Sequence, residues 1–253
     1  MLLHNQVAIV TGAGSGIGEA GAAIMAREGA HVVIVDRNGG RADVVVRRIR
    51  QAGGSAESLA IDVTDDRAMK EGLLSVMARH GRIDILHNHA GVQVAGDVEQ
   101  VDVAGFDLSW SVNVRAHFMA ARHVVPVMRN AGRGVILNTS SSSGILYDRE
   151  MIAYTTTKHA VVAMTRQMAG DLAPHGIRVN ALCPGWVDTP FNDPFIAQMG
   201  GRSAIEAYVA TKVPLGRWAE VSEIAEPILF LVSDRSSYMT GQVLVVDGGE
   251  TVV

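Results

Sequence analysis

Cysteine is almost absent from the sequence, which holds one residue of this type, Cys183, among 253. One thiol cannot form a disulfide within the chain, and no set of Cys and His residues has the spacing of metal ligands. We interpret Cys183 as a small buried apolar residue, and we expect a reducing compartment and no metal site.

An excess of basic charge is also lacking. Asp and Glu number 26 against 22 Lys and Arg, a formal net charge of -4. This balance does not attract nucleic acid or anionic lipid, so neither is expected as a partner. No apolar run approaches the roughly 20 residues that a membrane-spanning helix needs, and the first residues enter a strand pattern without a charged leader. We therefore expect a cytoplasmic protein that does not bind membranes.

Apolar residues, in contrast, make up 48% of the chain. Seven apolar, mostly β-branched runs are interpreted as buried strands, near Val7, His31, Leu59, Ile83, Val135, Val179 and Val243. Stretches with helical spacing lie between most of them, at 19–27, 41–51, 65–80, 103–130 and 153–173. Because parallel neighbours need long crossover connections, this alternation predicts a doubly wound, Rossmann-type α/β fold. We expect one domain over residues 1–253, with a seven-stranded parallel sheet covered by helices on both faces.

One irregular stretch, at about 190–214, interrupts this alternation. It mixes aromatic and aliphatic side chains such as Phe191, Phe195 and Tyr208 with glycines and prolines. Such a composition is typical of a mobile lid over an apolar pocket. The alternative is an ordinary surface excursion.

A glycine-rich turn, TGAGSGIGEAG, follows the first strand. At such a turn, free backbone N–H groups and the positive end of a helix dipole can receive a pyrophosphate. The pattern G-x-G-x-x-G fits at Gly16, Gly18 and Gly21, but this frame begins well after the strand and places Gly21 inside the helix. The frame T-G-x-x-x-G-x-G, from Thr11 and Gly12, fits the turn better. With this frame the sequence resembles the short-chain dehydrogenase/reductase family.

The coenzyme preference is predicted from Asp36, which ends the second strand about 20 residues after the turn and could accept from both ribose hydroxyls. A 2′-phosphate about 4 Å from this carboxylate would be repelled by on the order of 4 kcal/mol at a surface-like dielectric. Arg37 would offset part of that repulsion. Ser15, however, stands where NADP-dependent members of the family often carry a basic residue. We therefore expect NAD, with NADP disfavoured.

The resemblance implies further cofactor contacts over much of the chain. Those expected are Gly12, Ser15, Gly16, Ile17, Gly18, Asp36, Arg37, Asp62, Val63, Asn88, Ala90, Gly91, Tyr154, Lys158, Pro184, Gly185, Val187 and Thr189. Asp62 and Val63 would contact the adenine, although Asp62 is alternatively a structural turn residue. His89 departs from the family pattern, because NHAG stands where NNAG is usual, and its role is left open.

The chemistry is predicted from Tyr154-x-x-x-Lys158, a spacing that places both side chains on one face of a helix. A tyrosine with its usual pKa of about 10 is a poor base at neutral pH, and a nearby cation favours its phenolate. We expect Tyr154 to be the acid/base and Lys158 to tune it. Matching NTSSSSG to the S-x-x-G of the family implies Ser141 as the group that holds the substrate oxygen.

A fourth catalytic residue, Asn113, lies in a helical pattern where asparagine is unfavourable. The resemblance implies that it holds a water linking Lys158 to solvent; the alternative is a helix-kinking asparagine bonded to backbone. Ser143, Tyr147 and Trp186 are expected to join Ser141 and Tyr154 in the substrate pocket, although Ser143 and Tyr147 would alternatively only cap the loop.

The predicted function is NAD(H)-dependent hydride transfer between the nicotinamide and a secondary alcohol or ketone, with a modest, largely apolar cyclic or aryl ketone as substrate. Alternatives are an epimerase or dehydratase on the same scaffold, and a catalytically silent NAD(H)-responsive binding protein. The resemblance also implies a homotetramer, built from the helices around Phe118 and Val161 and from the C-terminal strand.

Overall fold

All seven strands pair in one parallel sheet in the computed structural model, which describes residues 1–252. The strands are β1 Val7–Thr11, β2 His31–Asp36, β3 Ser55–Ala60, β4 Ile85–Asn88, β5 Gly134–Thr139, β6 Ile177–Pro184 and β7 Val243–Val246. Their order in the sheet is β3-β2-β1-β4-β5-β6-β7. The chain therefore reverses its direction of winding between β1 and β4, where folds of this type bind ligands.

Helices cover both faces of the sheet. They are α1 Gly16–Arg27, α2 Gly39–Gln51, α3 Asp66–His80, α4 Val103–Trp110, α5 Ala116–Ala131, α6 Ile152–Leu172, α7 Asp193–Gln198, α8 Arg202–Lys212 and α9 Val221–Val232. Successive strand residues supply opposite cores: Ala8 and Val10 pack against α1, α2 and α9, whereas Val7 and Ile9 pack against α3, α5 and α6. This confirms the predicted α/β fold.

The helical stretch predicted at 103–130 is helical without a break from residue 103 to 131. A π-helical turn over Ser111–Arg115 lies between α4 and α5 within it. Asn113 lies in this turn and is fully buried. Such turns inside α-helices occur frequently at functional sites.

The segment predicted as a lid consists of a 3₁₀ turn, Pro190–Asn192, followed by α7 and α8. Buried Ile205, Val209 and Val213 form a small cluster that is separate from the two cores. It packs against aromatic and aliphatic side chains from within the segment and from the chain on either side of it, namely Trp186, Phe195, Ile196, Tyr208 and Trp218. The single-domain organisation and the role of this segment as a lid stay predictions. Between residues 1 and 252, no helix is both long enough and apolar enough to cross a membrane.

Candidate active site

A cavity of about 520 Å³ lies at the carboxyl ends of β1, β4, β5 and β6. Most of the predicted site residues line it: Gly12, Ser15, Gly16, Ile17, Asp36, Arg37, Asp62, Val63, Ala90, Gly91, Ser141, Ser143, Tyr154, Lys158, Pro184, Gly185, Trp186, Val187 and Thr189. Four predicted residues, Gly18, Asn88, Asn113 and Tyr147, do not line it. The cavity thus extends from the glycine turn at one end to the Tyr154 side chain at the other.

In the glycine turn, a side chain at either Gly12 or Gly18 would overlap with backbone atoms. Gly12 has a φ of +67°, and a Cβ built on it would lie 2.7 Å from the Cα of Ala90. A Cβ on Gly18 would lie 2.5 Å from the carbonyl oxygen of Gly12, so Gly18 is needed for the close packing of α1 on the turn. Gly21, from the rejected frame, contacts Ile228 of α9 instead.

Asp36 is held at the end of β2 by backbone donors. Its Oδ2 accepts from the N–H of Gly14 and its Oδ1 from the N–H of Asn38, both at 2.9 Å. A Cβ on Gly14 would lie 2.7 Å from the same Oδ2. Gly14 was not predicted from the sequence. Arg41, which was not predicted either, lines this end of the cavity together with Arg37. The carboxylate retains lone pairs that could accept from ribose hydroxyls.

Asp62 has the bonding of a structural turn residue and also lines the cavity. Its Oδ1 accepts from the N–H and the hydroxyl of Thr64, at 2.9 and 2.7 Å, which is the bonding of a structural turn. These bonds lower the pKa of the Asp62 carboxyl. The residue also lines the cavity, so an adenine could lie against the same turn.

Tyr154 and Lys158 lie one turn apart on α6, and both are almost completely buried, with 6% and 2% of their surfaces exposed. The Nζ of Lys158 lies 5.5 Å from the centroid of the Tyr154 ring and donates to the carbonyl oxygen of Thr139 at 3.1 Å. Burial raises the pKa of Tyr154 to about 12, against the effect of hydrogen bonds with Ser141 and Gln93. Burial lowers the pKa of Lys158 to about 8. Without cofactor, Tyr154 is therefore a neutral phenol at neutral pH.

Ser141 caps the 3₁₀ turn that follows β5. Its Oγ accepts from the N–H of Ser143 at 3.2 Å and lies 3.3 Å from the Oγ of Ser143. Ser141 also lies close enough to the Tyr154 hydroxyl to oppose the rise of the Tyr154 pKa. The structure thus brings the predicted serine and tyrosine hydroxyls together at one point of the cavity.

Asn113 links the loop after β4 to α6 through hydrogen bonds. Its Oδ1 accepts from the N–H of Val92 at 2.8 Å, and its Nδ2 donates to the Val92 carbonyl and to the Thr157 hydroxyl at 3.0 and 2.9 Å. Asn113 makes these bonds from the π turn, where the helix is locally widened. Gly91 lies between this amide and Lys158, since a Cβ built on it would lie 3.3 Å from Asn113 Oδ1 and 3.5 Å from Lys158 Nζ. The water relay stays a prediction.

His89, whose role was left open, lines the cavity as a neutral imidazole. Its Nδ1 lies 3.2 Å from the hydroxyl of Thr139, which also bonds to His87 at 2.9 Å. Burial lowers the pKa of His89 to about 3, and the positive charge of Lys158 adds to this effect. Asn88, one residue earlier, ties β4 to β5 by donating to Asn138 at 2.9 Å. Its contribution to the site is structural support.

The substrate end of the cavity differs from the prediction at Tyr147. This side chain is 85% exposed and does not line the cavity, whereas its neighbour Asp148 does. Ser143 is buried and donates to Asp148 Oδ2 at 2.7 Å. Trp186 donates from Nε1 to Glu250 Oε1 at 2.8 Å. Phe191 and Phe195, from the segment predicted to cover an apolar pocket, line the cavity. No motif marks several other lining residues, which the sequence did not indicate, namely Gln93, Asp148, Met151, Asn192 and Glu250.

One group of potential metal ligands, His31, Glu57 and His80, occurs in the part of the chain that the structure describes. It lies at the amino end of β2, away from the cavity. The guanidinium of Arg79 already donates to Glu57 Oε1 at 2.9 Å, and His80 Nε2 lies 3.1 Å from the same oxygen. The predicted absence of a metal site stays a prediction.

Comparison with known proteins places this geometry among dehydrogenases. A family model described as Enoyl-(Acyl carrier protein) reductase matches residues 12–251. The short-chain dehydrogenase anuF of Penicillium roqueforti (strain FM164) is 40% identical over 98% of this chain and 96% of its own.

Two solved structures share the fold over nearly the whole chain. A gluconate 5-dehydrogenase from Burkholderia cenocepacia J2315, in complex with NADP and tartrate, has a TM-score of 0.93 at 33% identity, covering 99% of this chain and 97% of that one. A 7α-hydroxysteroid dehydrogenase complexed with NADH and 7-oxo glycochenodeoxycholic acid has a TM-score of 0.91 at 33% identity, covering 98% and 94%.

Proposed function

The chain belongs to the short-chain dehydrogenase/reductase family, whose members are oxidoreductases of alcohol and ketone groups, and from this membership we propose that it transfers hydride between NAD(H) and a secondary alcohol or ketone. The observation that carries the proposal is the convergence of Tyr154, Ser141 and Lys158 on one buried point of the cavity. When bound, the nicotinamide supplies or accepts the hydride at its C4 atom.

The coenzyme fits the glycine turn. Gly12 and Gly18 let the turn pack closely on Ala90 and on itself. The first residues of α1 line the cavity, where their N–H groups could receive a pyrophosphate. Asp36 supports the preference for NAD, because its charge opposes a 2′-phosphate. Related structures hold either NADP or NADH, and Arg37 and Arg41 lie beside Asp36, so the preference is tested below.

In carbonyl reduction, the neutral Tyr154 phenol gives its proton to the substrate oxygen while the Ser141 hydroxyl donates a hydrogen bond to that oxygen. In alcohol oxidation, Tyr154 must first lose its proton. Lys158, with its ammonium 5.5 Å from the ring, then stabilises the phenolate. Asn113 would hold the water through which the proton reaches solvent.

A homotetramer is also proposed. Phe118 on α5 is 51% exposed, and α4 presents further exposed apolar side chains, which supports an interface along these two helices. The second helix of the expected interface is α6, around Val161; Val161 itself is buried within the subunit, so other residues of α6 would make the contact. Light scattering of the purified protein would give the mass of four chains; a mass of one chain would refute the proposal. The cytoplasmic location stays a prediction.

The experiment that tests the proposed reaction follows the oxidation of NADH and NADPH by the purified protein with a panel of cyclic, aryl and keto-ester carbonyls. Tyr154→Phe is assayed beside it, with Tyr238→Phe, on a fully exposed tyrosine, as the matched control. Turnover that the control keeps and Tyr154→Phe loses is expected. Tight coenzyme binding without turnover of any carbonyl or alcohol would instead favour a catalytically silent binding protein.

A further inference from the structure

Three side chains whose oxygens can accept further hydrogen bonds gather at the substrate end of the cavity. Asp148 comes from the loop that precedes α6, Glu250 from the turn after β7, and Gln93 from the loop after β4, and all three line the cavity with Tyr154. No motif predicts their convergence. What they share is oxygen atoms that accept hydrogen bonds.

Glu250 and Gln93 each present a buried oxygen that has no close hydrogen bond from the described residues, although the Ser142 hydroxyl lies near enough to Glu250 to oppose the rise of its pKa. The Oε1 of Glu250 accepts from Trp186, whereas its Oε2 is buried without a partner. The Oε1 of Gln93 is likewise buried without a partner, while its Nε2 donates to Asn192 at 3.4 Å. Buried polar atoms in native proteins are generally paired, so a bound molecule with donors would complete both groups.

Negative charge accompanies these acceptors. Asp148 holds one hydrogen bond, from Ser143, and its charge helps to raise the pKa values of Glu250 and Tyr154. The only cationic side chains that line the described cavity are Arg37 and Arg41 at the adenosine end and Lys158 behind Tyr154. An anionic substrate group would therefore meet two carboxylates and no cation of its own.

A cationic substrate group is not favoured by the same arrangement. It would share the cavity with the ammonium of Lys158 and with a nicotinamide ring that is positive in its oxidised form. Neutral hydroxyl groups avoid both repulsions and still donate to the free oxygens. The aromatic rings of Phe191 and Trp186, which line the same end, offer apolar contact for the carbon skeleton.

We propose that the substrate is a neutral hydroxy ketone or diol, whose second hydroxyl donates to Asp148, Glu250 or Gln93, and that these side chains exclude carboxylate-bearing analogues. This inference rests on the proposed function, because it concerns the substrate of that site. It replaces the largely apolar ketone expected from the sequence with a substrate that also donates hydrogen bonds.

The test measures binding rather than turnover, so that it does not depend on the reaction. Isothermal titration of the NADH-saturated protein compares three ligands on one ring: cyclohexane-1,2-diol, cyclohexanol and cyclohexanecarboxylate. We expect the diol to bind about tenfold more tightly than cyclohexanol, as for one charge-assisted hydrogen bond, and the carboxylate at least tenfold more weakly.

The double variant Asp148→Asn/Glu250→Gln keeps the shapes of both side chains and removes their charge. It should reduce the advantage of the diol and increase the affinity for the carboxylate at least fivefold. Glu226→Gln, on the exposed side of α9, is the control and should change neither ratio. Either single variant serves if the double variant does not fold.

Carboxylate binding as tight as that of cyclohexanol, or the lack of any measurable advantage for the diol, would overturn the inference. Unchanged ratios in the double variant would do the same. Failure of the carbonyl panel with intact binding ratios would instead refute the proposed reaction alone.

Discussion

Replacing Asp36 by asparagine should move the coenzyme preference from NAD(H) toward NADP(H). The aspartate accepts from the N–H groups of Gly14 and Asn38 through different oxygens, so asparagine keeps one of these bonds and removes the charge. At a separation of about 4 Å and an effective dielectric constant of 20, a carboxylate and a phosphate repel by about 4 kcal/mol. Because Asp36 is partly exposed, solvent screening reduces this to about 1–2 kcal/mol.

The expected gain in kcat/KM for NADPH is therefore about 5- to 30-fold. NADH should lose about tenfold, because a charge-assisted hydrogen bond to the ribose is replaced by a neutral one. Initial rates with each reduced coenzyme, at one saturating carbonyl and at low and high salt, give both numbers. The wild-type preference for NADH should shrink as salt increases, since the repulsion is screened.

Asp43→Asn is the matched control for this measurement. Asp43 lies on α2, accepts from the Ser58 hydroxyl at 2.6 Å and does not line the cavity, so its replacement should leave the coenzyme ratio unchanged. A wild-type enzyme that prefers NADPH, or a ratio that Asp36→Asn does not alter, would refute the reasoning. Attraction by Arg37 and Arg41 would then decide the preference.

Three further predictions concern catalysis and stability. Tyr154→Phe should lower kcat at least about a thousandfold while the Kd for NADH, measured by fluorescence titration, changes less than twofold, because the phenol acts on the substrate oxygen; comparable losses in kcat and coenzyme affinity would contradict this role. The pKa of Lys158 is lowered to about 8, so the folded chain releases this proton before the unfolded chain does. The contribution of Lys158 to the free energy of unfolding should thus rise by about 2 kcal/mol between pH 7.5 and 9.5 in urea titrations, and this increase should be absent in Lys158→Met. Gly12→Ala should lower stability by more than Gly132→Ala, because both have positive φ but only the Gly12 Cβ meets backbone, at 2.7 Å from Ala90, and equal changes in Tm would argue against this contact.

The sequence predicts the sheet well because burial on both faces leaves a strong pattern. Val7 to Val10 are apolar at every position, and the structure gives alternate residues to opposite cores. A parallel central strand requires such a continuous run, and few other elements do. The glycine turn is equally predictable, since Gly12 has a positive φ and Gly18 lies against the Gly12 carbonyl.

Helix irregularities are harder to predict. The π turn at Asn113 accompanies bonds to Val92 and Thr157, two residues that periodicity along 103–130 does not include. The burial of one face of α6, in contrast, is predictable from spacing. Positions 154, 158 and 161 share one helical face, so Val161 is buried together with Tyr154 and Lys158.

The two ends of the cavity differ in what a sequence can reveal of them. A pyrophosphate is bound by backbone groups, and the close approach that this needs restricts the chain to glycine at particular spacings. The substrate wall is formed instead by single side chains from separate loops. Asp148 and Glu250 contribute through charge and through free oxygens, and any loop residue of suitable length can do that without a local pattern. The reaction is therefore predictable from the motifs that hold the coenzyme and the acid/base, while the polarity of the substrate follows only from where the loops converge. Tyr147 illustrates the difference, because a shift of one position in the loop exchanges an exposed ring for Asp148, a carboxylate that lines the cavity.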